Sequence, residues 1–439
     1  MTQSLTPQST KQKISRWLYS LALSCALPVL FIHWLVKFGL GKKDFNLHRL
    51  NRFSIYPEKI SQSDILIHCV SVGEVTVAAR LINTLIMTNP SLSVTVTTTT
   101  PTGAANVANL LGEKVQHLYL PYDLGWMMNR LLNRVRPKQV LVVEVELWPN
   151  MIRQCAKKHI PVTLVNGRMT DRSARGYQKL SLLIEPMLQS IKHVCAQSQR
   201  DYQNYLNLGI VEDKLTMTGN IKFELENTVS GVAEPLVSKF KGENRKILIA
   251  GSTHDPEEQI VLDAAKSLIS QYPELLLMIV PRHPQRFDKV YELLKVSGLN
   301  IARTSQTNTS SASITEPHTD IVLVDQMGVL TDLYHYADFA FIGGSIAERG
   351  GHNPLEAAVA AIPTMMGSST HNNPVIYNAL KASGNLFAVN NSQDIVSTVS
   401  HWLADDEARI SAGQKGYDVI EGNKGALQKT IDLITLPQP

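Results

Sequence analysis

The stretch FAFIGGSIAERGGHNPLEAAVAAIP, residues 339–363, decides how the rest of the chain is read. Phe339, Ala340, Phe341 and Ile342 make the continuous apolar run of a strand buried on both faces. Gly343, Gly344 and Ser345 stop that strand, and a second glycine pair, Gly350 and Gly351, leads into His352 and Asn353. Asn353 suits an N-cap, Pro354 the first helical position, and Leu355–Ala361 a helix. A strand followed by bare backbone and a helix start offers free N–H groups and a positive helix end to an anion. Glu356 adds a carboxylate for ribose hydroxyls. An ordinary strand–loop–helix connection carries the same signature, so the weight falls on the other loops.

The chain is too long, at 439 residues, for a single core, and predicts two domains. Its net charge of +4 gives no argument for a nucleic-acid partner, although basic residues can still gather toward an acidic membrane surface. Cys25, Cys69, Cys155 and Cys195 are scattered without a C-x-x-C pair, and read as buried free thiols of a reducing compartment.

Residues 1–15 are polar and read as a disordered N-terminus. Residues 16–40 read as a membrane anchor: Trp17 to Val36 carries no formal charge, with His33 neutral, and twenty helical residues span about 30 Å. Trp17, Tyr19 and Trp34 sit where interfacial aromatics do. Lys11, Lys13 and Arg16 precede the span; Lys37, Lys42, Lys43, Arg49 and Arg52 follow it, which places the body of the protein on the cytoplasmic side. A cleaved signal peptide fits less well, because the run is long, lacks a small-residue cleavage site and ends in lysines. A helix lying in the membrane interface is the other reading.

Beyond the anchor, strand-like and helix-like segments alternate, as in a doubly wound parallel sheet with its ligand crevice at the strand C-termini. The first such domain spans residues 41–223, a linker 224–244, and a second α/β domain 245–439. Short polar motifs follow the strands. Ser71-Val72-Gly73-Glu74 follows DILIHCV, and Glu74 is placed either to take a proton from a sugar hydroxyl or merely to cap a helix. Glu144 and Glu146 lie two apart at a strand end, so both share a sheet face if the strand persists. Unpaired burial of a carboxylate is costly, which favours a paired or functional role for them. Lys222 is a single cation near the end of the domain. In the second domain Gly251-Ser252-Thr253-His254, Pro281-Arg282-His283-Pro284 and Met327-Gly328 join GGHNPLE at one sheet edge, and several anion-friendly loops at one crevice make a nucleotide site. His254, His283, His352 and His371 match no metal-ligand spacing, and no P-loop or D-x-D pair is present. The expectation is therefore metal-independent chemistry.

Taken in order, SVGEV, TPTG, YLPYD, ELWPN, GNIKF, STH, VPRHPQRF, GGS and GGHNPLEAA resemble the Kdo transferases of lipopolysaccharide assembly, over about residues 15–430. These enzymes move 3-deoxy-D-manno-octulosonic acid (Kdo) from CMP-Kdo to a lipid A precursor. The resemblance implies an inverting GT-B glycosyltransferase, two Rossmann-like domains facing a cleft, anchored at the bacterial inner membrane with its catalytic domains cytoplasmic. It implies Glu74 as proton acceptor and Glu144 and Lys222 as stabilisers of the transition state. It implies CMP binding by Pro281, Arg282, Met327, Gly328, Val329, Asn353, Pro354, Leu355 and Glu356. The implied partners are CMP-Kdo, the lipid A precursor and membrane lipids, with no metal cofactor. One departure stands out: the family usually has Met-Gly-Glu where this chain has Met327-Gly328-Val329. Valine is harmless if the segment binds through its backbone, and lowers donor affinity if the side chain takes part. The loop Gly367–Asn373 also differs from the family's Gly-Pro-His type of sequence. A GT-B transferase or epimerase acting on a UDP-sugar is the alternative reading.

Overall fold

The computed structural model describes residues 9–38, 47–241, 245–306 and 319–434, in two compact units. The first comprises Met1–Glu224 with Lys424–Pro439, and the second Leu225–Asn423.

In the first unit the strands are β1 (Ile65–His68), β2 (Val94–Thr98), β3 (Gln116–Tyr119), β4 (Gln139–Val143), β5 (Val162–Gly167), β6 (His193–Ala196) and β7 (Leu215–Met217). They form one parallel sheet in the order β3-β2-β1-β4-β5-β6-β7. Alternate residues of β4 enter different cores: Val140 and Val142 pack with Leu66 and Leu164, while Leu141 and Val143 pack with Ile67 and Val96. Both faces are thus covered, which is why the strands read as unbroken apolar runs. The order reverses between β1 and β4, and ligands of open α/β sheets sit at such a switch point, beyond the strand C-termini.

The second unit repeats the plan. Its strands are β8 (Lys246–Thr253), β9 (Leu275–Pro281), β10 (Ile301–Arg303), β11 (Ile321–Leu323), β12 (Phe339–Ile342), β13 (Thr364–Met366) and β14 (Leu386–Ala388). All pair in parallel, in the order β10-β11-β9-β8-β12-β13-β14, with Phe339 opposite Leu248 and Ala340 opposite Thr364. Here the switch point lies between β8 and β12.

Several boundaries differ from expectation. The N-terminal helix runs Thr10–Phe38, starting six residues before the expected anchor and inside the segment read as disordered. Ser9 Oγ accepts from Gln12 N–H at 3.3 Å and Gln12 Oε1 accepts from Ser9 N–H at 2.9 Å, a reciprocal cap that polar composition alone conceals. Residues 1–8 and 39–40 of those two segments lie outside the described residues. The segment Thr10–Lys37 is long and apolar enough to cross a membrane. It also docks on its own unit. Tyr19 OH donates to Asp123 Oδ2 (3.1 Å) and Asn150 Nδ2 to Ser20 Oγ (3.1 Å). Phe31 and Trp34 pack on Phe53. Trp17, Leu18, Val29, Ile32 and Val36 stay exposed, an apolar outer face. Cys25 is exposed on this helix, contrary to the buried reading, while Cys69, Cys155 and Cys195 are buried.

Most of the expected linker is built into the second unit. Asp332 accepts from Ser230 N–H and Ala233 N–H, both at 2.7 Å, and the helix Glu234–Lys241 buries Val237 and Phe240. Residues 242–244 lie outside the described residues, as do residues 307–318. At the other end, the helix Ala426–Leu433 returns to the first unit rather than closing the second. Ala426 and Ile434 are buried in the core that holds Val75 and Ile221, and a Cβ on Gly219 would lie 3.3 Å from that of Ala426.

Candidate functional site

At the switch point of the first unit, Glu74 and Glu144 follow β1 and β4. Ser71 caps the helix Val72–Thr88, and Glu74, in its first turn, reaches back: Val70 N–H donates to Oε2 (2.8 Å) and Ser71 Oγ–H to Oε1 (2.8 Å). The capping role and a reactive role coexist, because two donors leave the carboxylate lone pairs for a third partner. Burial, with a smaller contribution from Glu144, pushes the Glu74 carboxyl above its ordinary value.

Strand β4 does not persist to Glu146, as shared-face placement required. Glu144 turns left-handed at φ 60°, a conformation costly for a residue with a Cβ and often found at functional sites. The turn directs Glu144 to Lys222, whose Nζ lies 2.9 Å from Oε1. Arg80 Nη1 donates to the carbonyls of Ile221 and Lys222, both at 3.1 Å, and fixes the backbone that carries this lysine. Glu74, Glu144 and Lys222 are thus gathered in one unit.

Glu146 joins them as a third carboxylate. Burial first, then the Glu74 charge, pushes it up to about 7. The loop is pinned by Trp148 Nε1–H donating to Nε2 of His68 (3.2 Å), a ring that burial holds neutral down to about 3. A base works only when deprotonated, so activity depending on this cluster rises with pH as the carboxyls ionise. In Glu146→Gln one like charge is gone and Glu74 ionises more readily. The acid limb of the pH–rate profile is expected to move down by about half to one pH unit. A limb that stays in place would separate Glu146 from the reacting group.

In the second unit a cavity of about 280 Å³ opens at the β8/β12 switch point. Pro281, Arg282, Met327, Gly328, Asn353 and Glu356 line it, together with His352 of GGHNPLE and residues not expected there, among them Gln326, Thr331 and Tyr334. Val329, Pro354 and Leu355 do not line it; the side chains of Val329 and Leu355 are buried. The backbone must be bare beside it: a Cβ on Gly251 would meet the Tyr334 hydroxyl at 2.2 Å. Thr331 Oγ1–H donates to Glu356 Oε2 at 3.4 Å, orienting that carboxylate.

Two expectations for the GGS and GGHNPLE stretch are corrected. The helix runs only Leu355–Ala358, with Pro354 at its cap position, although Asn353 Oδ1 still accepts from Leu355 N–H at 3.3 Å. The N–H groups just after β12, from Gly344 to Ala347, are not free for a ligand. Glu257, fully buried, accepts from Gly344 (2.8 Å), Ser345 (2.9 Å), Ile346 (2.9 Å) and Ala347 (3.2 Å), and from His254 N–H (3.0 Å). The anion in that cradle is the protein's own. Among the described residues, no group of three or more His, Cys, Asp or Glu is placed to hold a metal ion.

Comparison with known proteins accords with this geometry. Residues 48–225 match the family model of 3-deoxy-D-manno-octulosonic-acid transferase (kdotransferase). The chain is 39% identical to the 3-deoxy-D-manno-octulosonic acid transferase of Haemophilus influenzae, over 84% of this chain and 86% of that one. It is 28% identical to that of Bordetella pertussis, over 96% and 99%. Among solved structures, UDP-GlcNAc 2-epimerase of Neisseria meningitidis, bound to UDP-GlcNAc, superposes with a TM-score of 0.56 at 13% identity, covering 84% of this chain and 98% of that one. That likeness shows the fold alone: two Rossmann-like domains of the GT-B kind. On sequence and architecture together, the chain is a glycosyltransferase and belongs to the 3-deoxy-D-manno-octulosonic acid transferase family.

Proposed function

We propose that this chain transfers Kdo from CMP-Kdo to a lipid A precursor at the inner membrane, with inversion at the anomeric carbon. The observation that carries the reading is the cavity at the β8/β12 switch point, where Arg282, a bare glycine turn at Gly328 and the Glu356 carboxylate stand around one space. These are the three things a cytidine monophosphate needs: a cation for phosphate, close backbone approach, and an acceptor for ribose hydroxyls.

In this reading Arg282 neutralises the phosphate as the bond to the sugar breaks, and an oxocarbenium-like centre develops. Glu74 takes the proton of the attacking primary hydroxyl. Glu144 and Lys222 are paired with each other. The pair stabilises the charge that moves during attack. Attack from the face opposite CMP inverts the centre. The apolar outer face of the helix Thr10–Phe38 anchors the protein to the membrane in which the acceptor lies, its catalytic units cytoplasmic. No step calls for a metal.

The direct test incubates the full chain with CMP-Kdo and a tetra-acylated lipid A precursor, and weighs the products. A mass gain of one or more Kdo units with release of CMP is expected; no gain with intact protein would dismiss the reading. Competition by CMP but not UDP separates it from a UDP-sugar enzyme, the alternative reading of the sequence. For Arg282→Ala, loss of one charge-assisted phosphate contact is expected to weaken CMP about 10- to 100-fold by calorimetry. Unchanged affinity would remove Arg282 from the phosphate.

A further inference from the structure

Three histidines gather beside the cavity of the second unit. His254 Nε2 and His352 Nε2 lie 2.9 Å apart with their rings 2° from parallel, and His283 packs edge-on against His254 with centroids 5.3 Å apart. His352 lines the cavity together with Arg282. Its ring is pressed against bare backbone: a Cβ on Gly344, at φ 71°, would come within 2.9 Å of His352 Cδ2. A hydrogen bond between two imidazole nitrogens holds one proton, so one ring must accept there. The pair is therefore built to alternate between no net charge and one, never two.

The surrounding charges set which. Arg282 and His283 face His352; Glu257, His283, Arg349 and Arg286 face His254. Burial first, then the Arg282 charge, holds His352 down to about 4, and burial also lowers His254, the Glu257 carboxylate opposing. Alone, the pair is neutral at neutral pH. A monoanionic phosphate about 4 Å away, at an effective dielectric of about 20, raises its proton affinity roughly a thousandfold.

We propose that His254 and His352 form one proton-storing couple of the donor site, which takes up a proton as the phosphate anion enters beside Arg282 and gives it to the leaving phosphate. The inference rests on the donor reading above. In the step, the bond between the anomeric carbon and the phosphate oxygen breaks with its electron pair staying on oxygen. The proton of the His352 ring passes to that phosphate, leaving the couple neutral. The acceptor oxygen closes on the anomeric carbon as its own proton goes to Glu74. The couple spares Arg282 from meeting a full dianion alone.

The test is calorimetry of the full chain in detergent with the methyl ester of cytidine 5′-monophosphate, a diester whose phosphate does not titrate near neutrality. Titrations at pH 7 in buffers of different ionisation enthalpy read the protons taken up. Roughly half a proton per ligand is expected for the wild type, and none for His352→Asn, with His254→Gln between them; thermal melts check that the variants fold. Binding by the wild type without uptake overturns the couple but leaves the donor site standing. Uptake that survives in a folded His352→Asn protein also overturns it, moving the proton elsewhere. If the diester does not bind the wild type at all, the donor reading itself fails, and the couple with it.

Discussion

Glu74→Gln is expected to abolish transfer, by at least about a thousandfold, while the protein still folds and binds CMP. General-base catalysis contributes about 10²- to 10⁴-fold where a positioned carboxylate takes the proton. Glutamine isolates that contribution because it keeps the local bonds. Its amide oxygen can accept from Val70 N–H, which lies 2.8 Å from Oε2, and its NH₂ can donate to Ser71 Oγ, which lies 2.8 Å from Oε1. The helix start therefore survives, and only proton acceptance is lost. CMP affinity should be unaltered, since the proposed nucleotide cavity is lined by residues of the second unit. Transfer at near-normal rate by a folded Glu74→Gln protein would sink the base assignment. A large fall in thermal midpoint would instead show the carboxylate to be chiefly a cap.

Much of the fold was legible because parallel strands buried on both faces have no polar positions to blur them. Phe339–Ile342 is the strand its apolar run suggests, and DILIHCV holds β1 at Ile65–His68, whereas short strands such as Thr364–Met366 and Leu386–Ala388 carry too few residues to stand out. What stayed hidden depends on contacts between distant segments. Helix Ala426–Leu433 has an apolar stripe like any other, and nothing in it announces that Ala426 packs on Gly219 of the first unit. The start of the first helix at Thr10 was readable in principle, since Ser9 and Gln12 have capping-box spacing, but polar composition argued the other way.

The site divides along the same line. Residue type and position after a strand suffice to place Arg282 and Glu356 at a cavity, whereas the nearness of Glu74 to Glu144 follows from the pairing of β1 with β4. Residue type and position do not say which way a loop's N–H groups point. The glycine-rich stretch after β12 has the composition of an anion cradle and is one, yet it is filled by Glu257. The first turn of the helix after the opening strand carries a glutamate in both units, Glu74 and Glu257, and both reach back toward the preceding loop. The number of donors separates their roles. Two leave Glu74 free to accept a proton, whereas five exhaust the lone pairs of Glu257.

That saturation makes Glu257→Ala the most damaging single change expected in the second unit. Removing the carboxylate strips the N–H groups of Gly344, Ser345, Ile346, Ala347 and His254 of their shared acceptor, in a place where Glu257 itself is fully buried. Each orphaned buried donor costs about 1–3 kcal/mol, less what entering water restores. A net loss of about 3–5 kcal/mol lowers the thermal midpoint by about 10 °C in a unit of this size. The loop also sets the donor site, since His352 N–H donates to Gly343 O at 3.0 Å and Gly351 N–H to Gly344 O at 2.8 Å. CMP affinity should therefore fall together with stability. Glu257→Gln discriminates between a clamp of shape and a clamp of charge. Its amide carries the same outline but turns two hydrogens toward groups that are all donors, so it should be nearly as harmful as alanine. If Glu257→Gln melts within about 2 °C of wild type and binds CMP as tightly, the loop holds its form without that charge. The glycines and Ser345 would then have to be credited with the cradle instead.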